Sequence, residues 1–194
     1  MQGTWTTGTN TWRYHFEYND HGNGPWMDET VVADRGTIPV SVQLNGHDYF
    51  ERPVAERYSL VESTARWEKG ATPGTQVLRS PAFYLTTPVG GGQLSAVPAE
   101  LAMLARALVE APEHRIALLP RGEARLESTG HLRVSLSGTT KILEAVRITG
   151  LGSAVALLWL ESDRALFAAR EGPMTLIRRG GSRRCPRLGR GRLQ

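Results

Sequence analysis

The sequence predicts a mainly β protein: an antiparallel meander or open half-barrel, one helix, and a second small β unit. Three observations carry this. Thr11–Tyr18 alternates strictly, with Trp12, Tyr14, Phe16 and Tyr18 on one side and Thr11, Arg13, His15 and Glu17 on the other, as a half-buried antiparallel strand requires. Short alternating runs separated by turn residues recur along most of the chain. Only one segment, Ala99–Ala111, repeats its apolar residues at three and four, the period of a helix face.

The first strand runs into Asn19-Asp20-His21-Gly22-Asn23-Gly24-Pro25, a dense cluster of turn residues. Thr30–Ala33 then leads through Asp34-Arg35-Gly36 into Val40, Val42 and Leu44, which alternate with Ser41 and Gln43 and stop at Asn45-Gly46, a strong short turn signal. Tyr58 and Leu60 alternate with Arg57 and Ser59, and Ala65–Glu68, centred on Trp67, pairs with them across Glu62-Ser63. Pro53 and Pro73 fall at margins, where a missing backbone donor does little harm. Gly70–Gly92 reads as loop with one short apolar segment, Ala82–Leu85.

In the helix, Leu101, Leu104, Ala105, Leu108 and Val109 form the apolar face, with Glu100, Arg106 and Glu110 outside it. Pro98 suits its first turn and Pro112 ends it. Strands return at Ile116–Leu119, Ala124–Leu126, Leu132–Leu136 and Val146–Ile148, and a last hairpin joins Val155–Leu160 to Ala165–Ala168 through Glu161-Ser162-Asp163-Arg164. No internal repeat has a fixed period. The expected division is 1–92 (meander), 93–177 (helix plus β-rich unit) and 178–194, an Arg- and Gly-rich tail without aromatic or acidic residues, of a composition that disorders.

The 194 residues carry a net charge of +4. That basicity belongs to the tail, because Arg178, Arg179, Arg183, Arg184, Arg187, Arg190 and Arg192 all follow the last acidic residue, Glu171, and residues 1–177 are mildly acidic. The longest apolar run, Ala154–Leu160, is far too short for a bilayer-spanning helix, and Met1-Gln2-Gly3-Thr4 lacks the basic and apolar regions of a secretory signal. As written, the chain therefore reads as cytoplasmic. A single cysteine, Cys185, excludes an internal disulfide and a cysteine-based zinc site.

Asn19-Asp20-x-Gly22-x-Gly24-Pro25, Asn45-Gly46-x-Asp48-Tyr49, Pro53-Val54-x-Glu56-Arg57 and Ala65-Arg66-Trp67 resemble the region ahead of the catalytic barrel in secreted bacterial metal-dependent amidohydrolases. The likeness continues through Phe83-Tyr84, Leu104-Ala105-Arg106-Ala107-Leu108, Leu118-Leu119-Pro120-x-Gly122-Glu123-Ala124, Ile148-x-Gly150-Leu151-Gly152 and Trp159-Leu160-x-x-Asp163-x-x-Leu166-Phe167-Ala168, about residues 10–177. In that family a divalent-metal site is built farther along, beginning with a His-x-His pair. Here His15, His21, His47, His114 and His131 are isolated and no Asp/Glu cluster stands in for them. The resemblance implies a non-catalytic accessory module, cofactor-free in itself, that braces a barrel or shapes substrate access. It also implies a secreted or periplasmic setting. The Arg-rich departure near Arg178 reads as a truncated or frame-shifted end to such an enzyme, and strand edges left without their partner predict self-association.

Two further binding readings stand beside this one. The Trp12, Tyr14, Phe16 and Tyr18 stripe could line a concave sheet for a lipid-type apolar ligand, although aromatics of this size more often form core. Arg178, Arg179, Arg183, Arg184 and Arg187 could contact a polyanion through salt-sensitive charge pairing, without any aromatic residue to stack on bases. Gly90-Gly91-Gly92 reads as a connector, since no Lys-Ser or Lys-Thr follows it. His47 beside Asp48 reads as a surface turn; no Gly-x-Ser-x-Gly elbow supports a nucleophile there.

Overall fold

The computed structural model describes residues 2–7, 10–17, 19, 21–34, 37–86, 98–136, 138–152, 154–172 and 174–178. Two seven-stranded sheets account for most of it, with one α-helix among the described residues. The mainly β architecture is as the alternation predicts.

The first sheet is a pure meander in chain order: β1 (Gln2–Thr7), β2 (Thr11–Glu17), β3 (Trp26–Asp34), β4 (Ile38–His47), β5 (Pro53–Val61), β6 (Thr64–Lys69) and β7 (Thr72–Val77). Every neighbouring pair is antiparallel. The second sheet begins with β8 (Ala82–Tyr84), which pairs in parallel with β9 (Arg115–Leu119) across the helix α1 (Pro98–Glu110). It continues antiparallel through β10 (Glu123–Leu136), β11 (Thr139–Leu151), β12 (Ala154–Leu160), β13 (Leu166–Glu171) and β14 (Met174–Ile177).

The helix lies between the two sheets. Leu101, Leu104 and Leu108 are fully buried and belong to one core with Val31, Val42 and Tyr58 of the first sheet and Ile116, Val146 and Leu158 of the second. Each buried leucine side chain contributes about 1.5–3 kcal/mol through apolar area removed from water. A smaller apolar group, Tyr14, Phe16, Met27 and Leu44, closes over Ala99 at the start of the helix. Thus the inward phase of the first sheet is covered, while its other face is left to solvent.

Several boundaries differ from the sequence reading. Asn45-Gly46 lies inside β4, and the chain reverses at Asp48–Arg52 instead. The reason is the Asp48 carboxylate, which accepts from the backbone N–H of Phe50 (2.8 Å) and Arg52 (3.0 Å) and so builds the turn itself. Gly46 serves a different need: a Cβ there would overlap the Trp26 carbonyl oxygen on β3. The stretch after Gly70 contains the strand β7 as well as Ala82–Tyr84. Pro73 is tolerated in it because β7 is an edge, and Gly74 leaves room for the Trp67 ring. Ala124–Leu126 and Leu132–Leu136 are parts of one long strand, β10, with a bulge between Ser128 and Gly130. The strands Gln2–Thr7 and Met174–Ile177 carry too little alternation to read and gain their structure from pairing.

Candidate functional site

A charged row crosses the inner face of the first sheet. The pairing register places Tyr14, Glu29, Leu44, Glu56 and Lys69 side by side on β2 to β6, all on the phase that packs against the helix. Glu29 is 2 % exposed and Glu56 1 %. Glu100, in the first turn of α1, descends onto this row and is itself 2 % exposed. It does not lie outside the buried face as the helical period suggests, because the acidic first turn is packed onto the sheet and onto Thr86.

The partners of these carboxyls divide unequally. Tyr84 Oη donates to Glu56 Oε2 at 3.1 Å, and Lys69 Nζ stands 3.9 Å from the same oxygen while donating to the Leu85 carbonyl at 3.1 Å. Thr86 donates twice to Glu100, from its backbone N–H to Oε1 (3.1 Å) and from Oγ1 to Oε2 (2.8 Å). Among the described residues neither oxygen of Glu29 has a donor facing it. Glu29 meets Glu100 carboxyl to carboxyl, a contact that becomes a hydrogen bond only when one of the two is protonated. The proton belongs on Glu29, since Glu100 already has its two donors. Burial first, then the Glu100 and Glu56 charges, hold the Glu29 carboxyl well above the usual carboxylate range.

The nearby phenols respond in the same direction. Burial and the Glu29 and Glu100 charges push Tyr14 up, burial and Glu56 push Tyr84 up, and burial alone raises Tyr58 to about 12. Tyr58 and Tyr84 stack with ring centroids 4.5 Å apart and planes 10° from parallel. All of these groups are neutral phenols at physiological pH. The arrangement can hold and share a proton, but it is sealed beneath the helix.

Trp12, Tyr14 and Phe16 of the aromatic stripe are likewise buried, Trp12 beneath Arg106 of the helix (5.6 Å from guanidinium carbon to ring centroid) and the other two against Ala99. Tyr18 lies outside the described residues. Arg178 is tied to the fold: its guanidinium donates to Glu161 Oε1 at 2.9 Å, as does Lys141 Nζ. Arg179, Arg183, Arg184 and Arg187, Cys185 and Gly90-Gly91-Gly92 lie outside the described residues. Asp48 is engaged by Arg52 as well as by the turn amides, and His47 Nδ1 contacts the Asp48 carbonyl at 3.1 Å rather than its carboxylate. Among the described residues no three His, Cys, Asp or Glu side chains gather as metal ligands, and no helix is long and apolar enough to cross a membrane.

The outer face of the first sheet is different in character. Trp26, 37 % exposed, stacks with His47 (6.1 Å, 15°) and meets His15 edge-on (6.1 Å, 75°). His15 in turn bonds Asp28 at 2.7 Å. Farther along the same face a groove of about 750 Å³ runs over β4 to β7, with Gln43, Arg57, Arg66 and Glu68 along it. The side chains of Arg57 and Arg66 make no ion pair or hydrogen bond among the described residues. Alternation had sorted His15 and Arg57 to the polar phase; Trp26 was missed because it precedes the segment where the strand is legible.

No family model, no curated protein and no solved structure matches this chain.

Proposed function

We propose that this chain is a non-catalytic accessory module that binds a partner through the solvent-facing side of its first sheet. The observation that carries the reading is the sorting of its chemistry. The groups whose hold on a proton is raised, Glu29, Tyr14, Tyr58 and Tyr84, lie on the covered face, where a substrate does not reach them, and the carboxylates shifted the other way, Asp48, Glu127 and Glu161, are each tied up in ion pairs with Arg or Lys. The groups with unused hydrogen-bonding capacity, Arg57 and Arg66, stand on the open one, with the exposed Trp26 indole at its other end. A catalytic site needs the reverse, with perturbed groups bordering a cleft. The resemblance to the pre-barrel region of metal-dependent amidohydrolases supports the accessory part of the reading, in which the module sits beside a catalytic barrel and influences what reaches it.

The test is an activity screen of the purified chain against chromogenic amide, ester and glycoside substrates, with and without added Zn²⁺ or Mn²⁺. No turnover is expected above the level of Glu29→Gln and Glu100→Gln variants. Turnover that those two substitutions abolish would make the buried carboxyls catalytic and overturn the reading.

A further inference from the structure

We infer that the outer face of the first sheet is a binding surface for an acidic oligosaccharide, with one sugar ring stacked on Trp26 and the carboxylates of neighbouring uronic residues reaching Arg57 and Arg66. The inference rests on the binding-module reading and names its partner.

The face offers three kinds of contact in one line. At one end Trp26, Glu17 and His47 share a row across β2, β3 and β4, and His15, Asp28 and Asn45 form the next. An exposed indole held between two imidazoles is a flat apolar platform whose orientation is set before any ligand arrives. Such a platform fits the apolar face of a pyranose. Around it Asp28 and Asn45 project as planar acceptors and donors, suited to ring hydroxyls. Two residues on, the row Arg13, Thr30, Gln43, Arg57 and Glu68 begins the groove. With about 4.8 Å between strands and about 3.3 Å per residue, Trp26 and Arg57 are on the order of 16 Å apart, a span for a few sugar units.

Charge decides among occupants. Glu17 and Asp28 beside the platform oppose a phosphate at the indole, so a nucleic acid with a charge at every unit fits poorly. A lipid is disfavoured by Gln43, Arg57, Arg66 and Glu68 along the groove; the exposed Val61 and Val77 of the same face lie in a separate row at the far ends of β5 and β7. The guanidiniums of Arg57 and Arg66, which make no ion pair among the described residues and outnumber the one carboxylate in the groove, Glu68, favour planar carboxylates, which they bind in bidentate fashion. Acid groups are therefore wanted at one end of the ligand and neutral hydroxyls at the other. A uronate-containing glycan supplies both.

The experiment is titration of the full chain with a hyaluronan hexasaccharide, in which each uronate is followed by a neutral sugar, monitored by tryptophan fluorescence and calorimetry, against neutral dextran oligomers and a dT12 oligonucleotide. Saturable uronate binding is expected. Trp26→Ala should weaken it at least about tenfold, and Arg57→Gln with Arg66→Gln should weaken it by about as much, while the melting temperature is unchanged. No binding of the uronate, binding insensitive to these substitutions, or binding that survives Trp26→Ala but is lost when Arg179–Gln194 is deleted overturns the inference. A second measurement needs no variant: the uronate should slow oxidation of Trp26 by N-bromosuccinimide, read by peptide mass spectrometry, and an unchanged rate overturns it too. Absence of uronate binding removes the occupant alone, whereas enzymatic turnover removes the non-catalytic reading beneath it.

Discussion

Glu29 on β3 and Glu100 in the first turn of α1 face each other as a buried carboxyl pair, in which burial and the Glu100 charge hold the Glu29 carboxyl well above the usual carboxylate range. The pair joins the sheet to the helix at the point where neither element can offer Glu29 a hydrogen-bond donor of its own. That contact makes the docking of the helix dependent on protonation.

The sign of this dependence follows from linkage. A carboxyl whose folded-state affinity for protons is raised above its usual 4.5 binds more protons folded than unfolded, so stability falls as pH rises from about 4.5 through the raised folded value. Replacing the acid with its neutral isostere removes the slope. Glu29→Gln is expected to raise the melting temperature at pH 8 and to change it little at pH 4.5. Thermal melts from pH 4.5 to 8.5 check this, and parallel curves for the two proteins would dismiss the shared proton.

At the other end of the same row, Tyr84 donates to a glutamate that is almost wholly buried. Tyr84→Phe keeps the ring and its stacking on Tyr58 but removes the donor, so its effect isolates the hydrogen bond. A loss of about 1–3 kcal/mol is expected, the range for leaving a buried polar group without its partner. Urea unfolding at pH 7 measures it; a change near zero would mean that Lys69 or water compensates.

Two glycines predict unequal costs. A Cβ at Gly46 would overlap backbone of β3, which has nowhere to go, whereas one at Gly74 would meet the ring of the partly exposed Trp67, which can swing. Gly46→Ala should destabilise by about 3 kcal/mol, the upper end for overpacking, and Gly74→Ala by about 1 kcal/mol. Equal costs in denaturant unfolding would count against the close approach of β3 to β4.

Leu104 and Leu108 project from the helix into the core shared by both sheets. Truncating either to alanine should cost about 2–5 kcal/mol. One cooperative transition should remain, with both sheets melting together; a split transition would mean that the sheets do not depend on the helix.

The fold was legible where one face of a strand is wet and the other dry. Thr11–Glu17 announces itself because Trp12, Tyr14 and Phe16 alternate with Arg13 and His15, and the helix because its leucines keep a period of three and four. Strands that owe their existence to an adjacent strand were not legible. Gln2–Thr7 and Thr72–Val77 are edge strands with little hydrophobic contrast, and their hydrogen bonds are the main reason they form. The interior site was half legible. A glutamate on the phase of Met27, Val31 and Ala33 is a charge on an apolar face, which is an anomaly once β3 is known to start at Trp26. Glu100 gave no such signal, since a helix N-terminus favours acids on any face. The outer platform could not be read at all, because the three rings that compose it come from three strands and meet only through register.

The meander has a consequence for the order in which the molecule assembles. In the first sheet each strand bonds only to those immediately before and after it in the chain, so each new pairing closes a short loop and none waits for distant sequence. A nascent chain can therefore add strands to this sheet as they leave the ribosome. The step that cannot proceed this way is the parallel pairing of Ala82–Tyr84 with Ala117–Leu119, which must await the helix and fold it inward. Synthesis from the amino terminus thus leaves one late commitment, and it is the same event that buries Glu29.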